Sequence, residues 1–211
     1  SVALLGAEMS EKDETVILQA KCSGPLGGYN VECTAQGTLR GYTEKKVLDG
    51  FDGLGKPKDK MVLGDQQIQV TRSVPGRILS QGISTSLDGY FAGSLQRKAC
   101  LKVEAAVSDE VEILEARGIL VEDMPDAKGP MVCCKTDDLK SLAVASRNIL
   151  KQLGLEKAEL KKTTPLKFAC RCSPDRAVAM LSALSEEERK ALPPTIDITC
   201  HMCGKTFTVK V

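Results

Sequence analysis

Two short cysteine motifs near the C-terminus decide how this part of the chain folds: CRC at 170–172 and CHMCG at 200–204. The 27 residues from 173 to 199 separate them. A structural zinc ion takes four tetrahedral ligands, with sulfur at about 2.3 Å, and a CxxC turn followed by glycine lets two sulfurs face one point. Four unrelated buried thiols would not explain this clustering in pairs. We therefore predict one zinc site with four ligands: Cys170, Cys172, Cys200 and Cys203.

The residues between and after the motifs predict a small folded unit. A helix start is marked by an N-cap, a proline and an acid: Ser173, Pro174 and Asp175. The predicted apolar face of this helix consists of Val178, Leu181 and Leu184. Ser185 and Glu188 form a capping box for a second helix, and strands at 195–199 and 206–209 flank the second cysteine motif. His201, inside that motif, is predicted to be exposed rather than bound to metal.

Such a small unit has little apolar core, so it needs another source of stability. Structural zinc can contribute on the order of 10 kcal/mol of folding free energy to a module of this kind. The two motifs also allow a second behaviour. Oxidation can join neighbouring sulfurs, and each disulfide removes two metal ligands. Spacing alone favours an inert structural site over a site that unfolds when oxidised.

Upstream, residues 15 to 125 predict a strand-rich domain with short connections, which favours antiparallel pairing. A loop is predicted at 50–60 and a helix at 86–96. The predicted strands lie at 15–20, 29–33, 38–42, 67–71, 100–107 and 111–121. The fold class is therefore α+β, with an antiparallel-rich sheet domain, a helical linker and a small zinc-binding C-terminal domain.

A change of composition near Met124–Asp126 marks the first domain boundary. A helix is predicted from Asp137 to Leu153, and the charged run 156–162 follows it. One thin apolar stripe lies along this helix: Leu139, Leu142, Ile149 and Leu153. We expect weak docking of this segment, although an ordinary connecting helix has the same pattern. The predicted units are the sheet-rich domain 1–125, a metastable helical linker 126–164 and the zinc-binding domain 165–211.

Composition excludes several classes of function. The 211 residues carry a net charge of +1, so no basic field favours nucleic acid or an anionic membrane surface. The sequence contains no apolar run long enough for a transmembrane helix. Nine cysteines, an odd number, argue against a fully paired secreted framework. We expect a reducing cytoplasm, or an organelle matrix if a targeting segment preceding Ser1 was removed.

The remaining five cysteines receive no predicted role. Cys22 and Cys33 lie on predicted neighbouring strands, where buried free thiols are the default. Cys100 lies in a predicted strand, and Cys133 and Cys134 are adjacent in the boundary region.

Beyond these patterns, both cysteine motifs with their flanks, 168–173 and 198–205, closely resemble the zinc domain of a known family. This is the redox-regulated zinc chaperone family, the thirty-three-kilodalton heat-shock proteins. Upstream pieces are similar to the same family: GPL at 24–26, VEC at 31–33, GTLRGY at 37–42, LDGYFAGSLQ at 87–96 and GILVEDMP at 118–125. The resemblance spans nearly the whole chain.

What the resemblance implies is a holdase, a chaperone that binds unfolding client proteins without ATP, and not an enzyme. In this family four thiolates hold zinc in the reduced, inactive state. The implied oxidised state has the disulfides Cys170–Cys172 and Cys200–Cys203 and has lost zinc. The zinc domain and linker then unfold, apolar surface binds clients, and active members tend to form dimers.

Two other functions compete with this one. A zinc ribbon that binds nucleic acid or protein would use basic residues beside the motifs, such as Arg171, Lys205 and Lys210, but the near-neutral charge and the lack of neighbouring aromatics argue against it. A thiol oxidoreductase would place CxxC at a helix start beside a catalytic base, and the sequence shows neither.

Overall fold

The described part of the chain forms ten strands and six α-helices. The computed structural model describes residues 1–50, 58–108, 112–126, 133–136, 139–144 and 146–211. The strands are β1 (Thr15–Cys22), β2 (Gly28–Thr34), β3 (Thr38–Thr43), β4 (Gln66–Val74), β5 (Arg77–Ser84), β6 (Lys98–Val107), β7 (Ile113–Asp123), β8 (Lys167–Phe168), β9 (Thr195–Thr199) and β10 (Thr206–Lys210). The helices are α1 (Val2–Ala7), α2 (Asp59–Leu63), α3 (Leu87–Gly89), α4 (Ser146–Leu153), α5 (Pro174–Ser182) and α6 (Glu186–Lys190).

The central sheet has six strands in the order β5-β4-β1-β2-β3-β8. All neighbours pair antiparallel except β3 and β8, which are parallel. Two separate hairpins, β6–β7 and β9–β10, complete the strands. The predicted α+β class with antiparallel-rich sheets is confirmed, whereas β5 and β8 were not predicted. Much of the predicted loop 50–60, residues 51–57, and the first residue of the strand predicted at 111–121 lie outside the described residues.

One face of the sheet is the main core. Side chains alternate across a strand, and Val16 and Leu18 of β1 pack beside Val70 of β4 on this face. Helix α1 covers it, together with a wide π-type turn at Tyr90–Ser94 that continues α3. The predicted helix at 86–96 is thus present as α3 and this turn. No helix among the described residues is long and apolar enough to span a membrane.

A second, smaller core lies between the β6–β7 hairpin and the segment after it. Its buried members are Val121, Leu139, Leu142 and Leu153, and Ile149 packs against them. The predicted apolar stripe is therefore the set of side chains that docks on the hairpin.

The helix predicted over this segment is too long, because α4 begins only at Ser146. Residues 137, 138 and 145 lie outside the described residues. Leu139 and Leu142 are buried but not helical, because side chains of the β6–β7 hairpin form hydrogen bonds with their backbone groups. Glu104 accepts a hydrogen bond from the Leu142 N–H at 2.6 Å, and Arg117 donates to the Leu142 carbonyl at 2.7 Å. Lys102 donates to the Leu139 carbonyl.

The third core lies in residues 165–211, called the C-terminal unit from here on. Ala177, Leu181 and Val209 are buried, and the predicted N-cap of Ser173 and the predicted capping box both form. The predicted apolar face of α5 is wrong at Val178, which is 46% exposed. Ala177 takes its place because the i, i+4 pair Ala177 and Leu181 faces the β9–β10 hairpin, which turns Val178 to solvent.

Strand β8 joins this unit to the central sheet. The N–H groups of Lys167 and Ala169 donate to the carbonyls of Gly37 and Leu39, each at 3.0 Å. Gly37 has φ +78°, and a Cβ there would collide with the carbonyl oxygen of Pro165. Glycine therefore both permits this turn and lets the chain before β8 pass close to it.

A pair of glycine substitutions tests this docking. Gly76 also has φ +78°, but nothing lies within 4 Å of an added Cβ. We expect Gly76→Ala to lower the free energy of unfolding by about 1–2 kcal/mol, because it places alanine in the left-handed region. Gly37→Ala should lower it by more, because its Cβ also meets the Pro165 carbonyl oxygen. Only Gly37→Ala should also accelerate hydrogen exchange at the Lys167 and Ala169 amides, measured by NMR or mass spectrometry. Equal exchange at these amides in both variants would contradict the docking role of Gly37.

Candidate metal centre

The structure brings the four cysteine sulfurs of the two motifs to one point. Cys170 Sγ lies 3.6 Å from Cys200 Sγ, and Cys172 Sγ lies 3.5 Å from Cys203 Sγ. All four sulfurs lie within 4.8 Å of one another. Ligands about 2.3 Å from a tetrahedral zinc ion are about 3.8 Å apart, so this spacing fits one such ion. Four thiols are also the soft donor set that zinc accepts, and the cluster can therefore bind a metal ion.

Local backbone geometry positions the second motif. The hairpin β9–β10 ends in a tight turn in which the Gly204 N–H donates to the Cys200 carbonyl at 2.8 Å. The Cys200 N–H in turn donates to the Lys205 carbonyl at 2.9 Å. Gly204 has φ +72°, a conformation that side chains disfavour. The turn therefore aims Cys200 and Cys203 toward the same point.

The first motif is positioned from both sides. Strand β8 ends at Phe168, two residues before Cys170, and the N-cap Ser173 follows Cys172 directly. The pairing of β8 with β3 and the capped start of α5 fix both ends of this short segment. Arg171, between the two cysteines, points to the sheet and donates to Glu32 at 2.6 Å.

The thiols of the first motif differ in acidity. Burial by itself raises the pKa of the Cys170 thiol, but hydrogen bonds from the Cys172 backbone N–H and from the neighbouring thiols lower it to about 6. Burial and the same neighbours raise the pKa of Cys172 to about 12. The neighbouring sulfurs thus favour a thiolate at Cys170, and a thiolate is the form that binds metal and reacts with oxidants.

Beside the sulfurs lies a buried carboxylate with two arginine partners. Glu32 on β2 is 4% exposed. Arg40 on β3 binds it through two hydrogen bonds, Nε to Oε1 at 2.5 Å and Nη2 to Oε2 at 2.9 Å. Arg40 also places Nη1 3.9 Å from Cys170 Sγ. The same side chain therefore contacts both the sheet and the cysteine cluster.

An aromatic contact joins the sheet to the second motif. Tyr42 on β3 meets His201 edge to face, with ring centroids 5.7 Å apart. His201 is exposed, as predicted.

The sequence-predicted ligands thus come together, while other cysteines lie elsewhere. Cys22 and Cys33 are free thiols on neighbouring strands, and only Cys33 is buried. Cys100 on β6 is disulfide-bonded. The side chains of the adjacent cysteines at 133–134 lie outside the described residues.

Sequence reasoning did not identify Glu32, Arg40 and Tyr42 as neighbours of the site. The signal was the alternation in the predicted strand 38–42, which places Arg40 and Tyr42 on one face. Their proximity to the cysteines depends on the parallel pairing of β8, a two-residue strand that no local pattern predicts.

Comparisons with known proteins agree along nearly the whole chain. A family model described as Hsp33 protein matches residues 1–210. The 33 kDa chaperonin of Oceanobacillus iheyensis is 26% identical to this chain over 228 residues, which cover 97% of this chain and 78% of that protein. The 33 kDa chaperonin of Thermus thermophilus is 27% identical over 237 residues, covering 97% and 70%.

A solved structure has the same fold. The crystal structure of the 33 kDa chaperonin from Thermotoga maritima, a heat shock protein 33 homolog, superposes with a TM-score of 0.83 at 21% sequence identity. The superposition covers 99% of this chain and 78% of that one. Together with the family match over residues 1–210, this similarity shows that the chain belongs to the Hsp33 family of chaperones.

Proposed function

We propose that this protein is a redox-regulated, ATP-independent holdase that is inactive when reduced and binds unfolding clients when oxidised. The observation that carries the proposal is the convergence of four cysteine sulfurs within 4.8 Å, next to the attachment of the C-terminal unit to the sheet. A chemical change at those sulfurs therefore acts on the whole attachment.

In the reduced state the four sulfurs would hold one zinc ion. When bound, zinc supplies a divalent charge that keeps all four sulfurs as thiolates and links two motifs that are distant in sequence. The C-terminal unit has only three buried apolar residues of its own, Ala177, Leu181 and Val209. Its folding therefore depends on the four ligands more than on its core.

Oxidation would convert the four thiolates into two disulfides. Each disulfide releases two electrons, and a peroxide is a suitable acceptor: two hydrogen peroxide molecules and four protons take up four electrons and yield four waters. Disulfide sulfurs no longer offer thiolate ligands, so the ion dissociates. The family resemblance pairs Cys170 with Cys172 and Cys200 with Cys203.

Of three units, loss of the ion would unfold the zinc domain and the linker and leave the sheet-rich domain folded. We propose the sheet-rich domain 1–125, the linker 126–164 and the zinc domain 165–211 as these units. The linker is held by a small cluster on the β6–β7 hairpin, in which each buried leucine contributes about 1.5–3 kcal/mol. Segments with few buried contacts open first.

Release of the linker would enlarge an apolar surface that is already partly open. On strand β7 Ile113 and Leu114 are 73% and 67% exposed. Val121 and Ile119, now packed against the linker, would join them. Large exposed apolar patches bind other apolar chains, so unfolded proteins are the partners of this state. We further propose homodimers of the oxidised form and a reducing compartment, the cytoplasm or an organelle matrix.

The holdase proposal predicts a dependence on oxidation. Peroxide-treated protein should suppress aggregation of a thermally unfolding test protein, measured by light scattering, whereas reduced protein should not. In Cys200→Ser, reduced and peroxide-treated protein should suppress aggregation to the same extent, because one of the proposed disulfides can no longer form. Cys22→Ser removes a free thiol outside the cluster and should behave like wild type. If reduced and oxidised wild type suppressed aggregation equally, or if neither did, the proposal would be refuted.

The metal and disulfide proposals predict a stoichiometry. Reduced protein should contain about one zinc per chain, and peroxide should release it in parallel with the loss of the four cluster thiols. Chelator absorbance, thiol titration and peptide mapping measure the three quantities. Zinc retained after full oxidation would refute the metal step. The sulfurs of Cys170 and Cys200 are 3.6 Å apart, so mapping a Cys170–Cys200 disulfide instead would refute the proposed pairing alone.

A further inference from the structure

One face of β3 contacts both cysteine motifs. Arg40 and Tyr42 are two residues apart in the strand and therefore share a face of the sheet. Arg40 reaches Cys170 of the first motif, and Tyr42 reaches His201 of the second. The four cysteines of the candidate metal centre belong to the C-terminal unit, and side chains of the central sheet contact both of their motifs.

The position of Arg40 is fixed by its partner on the neighbouring strand. Glu32 lies directly opposite Arg40 in the β2–β3 register, and the two side chains form a paired, two-point ion bridge. Arg171 donates to the same Glu32 oxygen, Oε1, that accepts from the Arg40 Nε. Two of the three polar groups that surround Glu32's carboxylate thus belong to the sheet, namely the Nε and Nη2 of Arg40, and one belongs to the cysteine segment.

We propose that Arg40, held by Glu32, is an outer-shell positioning residue of the metal centre: its guanidinium supports the Cys170 sulfur and thereby couples metal binding to the docking of the C-terminal unit on β3. This inference rests on the proposed metal site and adds a residue from the other domain to it. It assigns to the sheet a direct part in metal affinity.

Charge explains why the arginine belongs there. Four thiolates and one divalent cation carry a net charge of minus two, and the two arginines and Glu32 together carry plus one. A thiolate that accepts a hydrogen bond from a cation is stabilised as a ligand, and outer-shell partners of metal ligands commonly affect affinity by about 10–100-fold. Disulfide formation removes the negative charge from the sulfurs, so the same contact no longer favours docking.

The chain contains a matched control for an arginine substitution. Arg72 on β4 binds Glu14 at 2.6 Å, and Glu14 is 1% exposed. Replacing Arg40 removes an arginine partner from buried Glu32, and replacing Arg72 removes one from buried Glu14. Arg72 donates to Glu14 and to the Glu8 carbonyl, neither of which belongs to the cysteine cluster.

The test measures the zinc affinity of the reduced 211-residue chain by competition with a chromogenic chelator, with circular dichroism as the check on folding. We expect Arg40→Gln to weaken zinc binding by about 10–100-fold and Arg72→Gln to leave it within about threefold of wild type. Adding zinc to metal-free protein should protect the Lys167 and Ala169 amides from exchange in wild type, and less so in Arg40→Gln.

Arg40→Gln with the affinity of Arg72→Gln would overturn the inference. If Arg40→Gln does not fold, Arg40→Lys provides the measurement: lysine keeps the charge but cannot bind Glu32 at two points while reaching the sulfur, so its affinity should also fall. Wild-type affinity in a folded Arg40→Lys would likewise refute the role. The measurement involves no oxidant and no client protein, so it does not depend on holdase activity. A wild type that binds no zinc would count against the proposed metal site. A wild type that binds zinc, with Arg40 variants of the same zinc affinity, would count against Arg40 alone.

Discussion

The convergence of four cysteine sulfurs is the constraint on which the rest of this structure depends. Two sulfurs come from a segment between β8 and α5, and two come from the turn between β9 and β10. Strands β8, β9 and β10 and helix α5 therefore each begin or end close in sequence to the cluster. Because the unit's own core is small, we propose that the state of the sulfurs determines whether its helices and hairpin stay together.

The described residues form three cores. The largest lies between the central sheet and α1, and two small ones lie between the β6–β7 hairpin and the proposed linker and within the C-terminal unit. Polar contacts reinforce the boundaries between them: the hairpin binds linker backbone through Lys102, Glu104 and Arg117, and the sheet binds the cysteine segment through Glu32. A protein so arranged can lose its outer units while the sheet remains folded.

The sequence predicted those parts of the fold that depend on local chemistry. Cysteine spacing, the capping residues of α5 and α6 and the alternation of β1 all predict what the structure contains. Strand β5 was missed because it is an edge strand: Ile78 and Ile83 are exposed, and its backbone bonds to β4 stabilise it rather than a buried face. The start of α4 was misplaced because Glu104, distant in sequence, binds the Leu142 N–H. The place of Arg40 beside Cys170 depends on strand pairing that is nonlocal in the same way.

We propose above all that chemistry at four sulfurs controls the folding of segments that reach far beyond them. Hydrogen exchange followed by mass spectrometry, compared between reduced and peroxide-oxidised protein, tests this claim most directly. The account predicts that oxidation removes protection from α4, β8 and the elements from α5 to β10, while β1, β2 and β4 remain protected. Unchanged protection of α4 and β8 after complete oxidation of the four cysteines would contradict it.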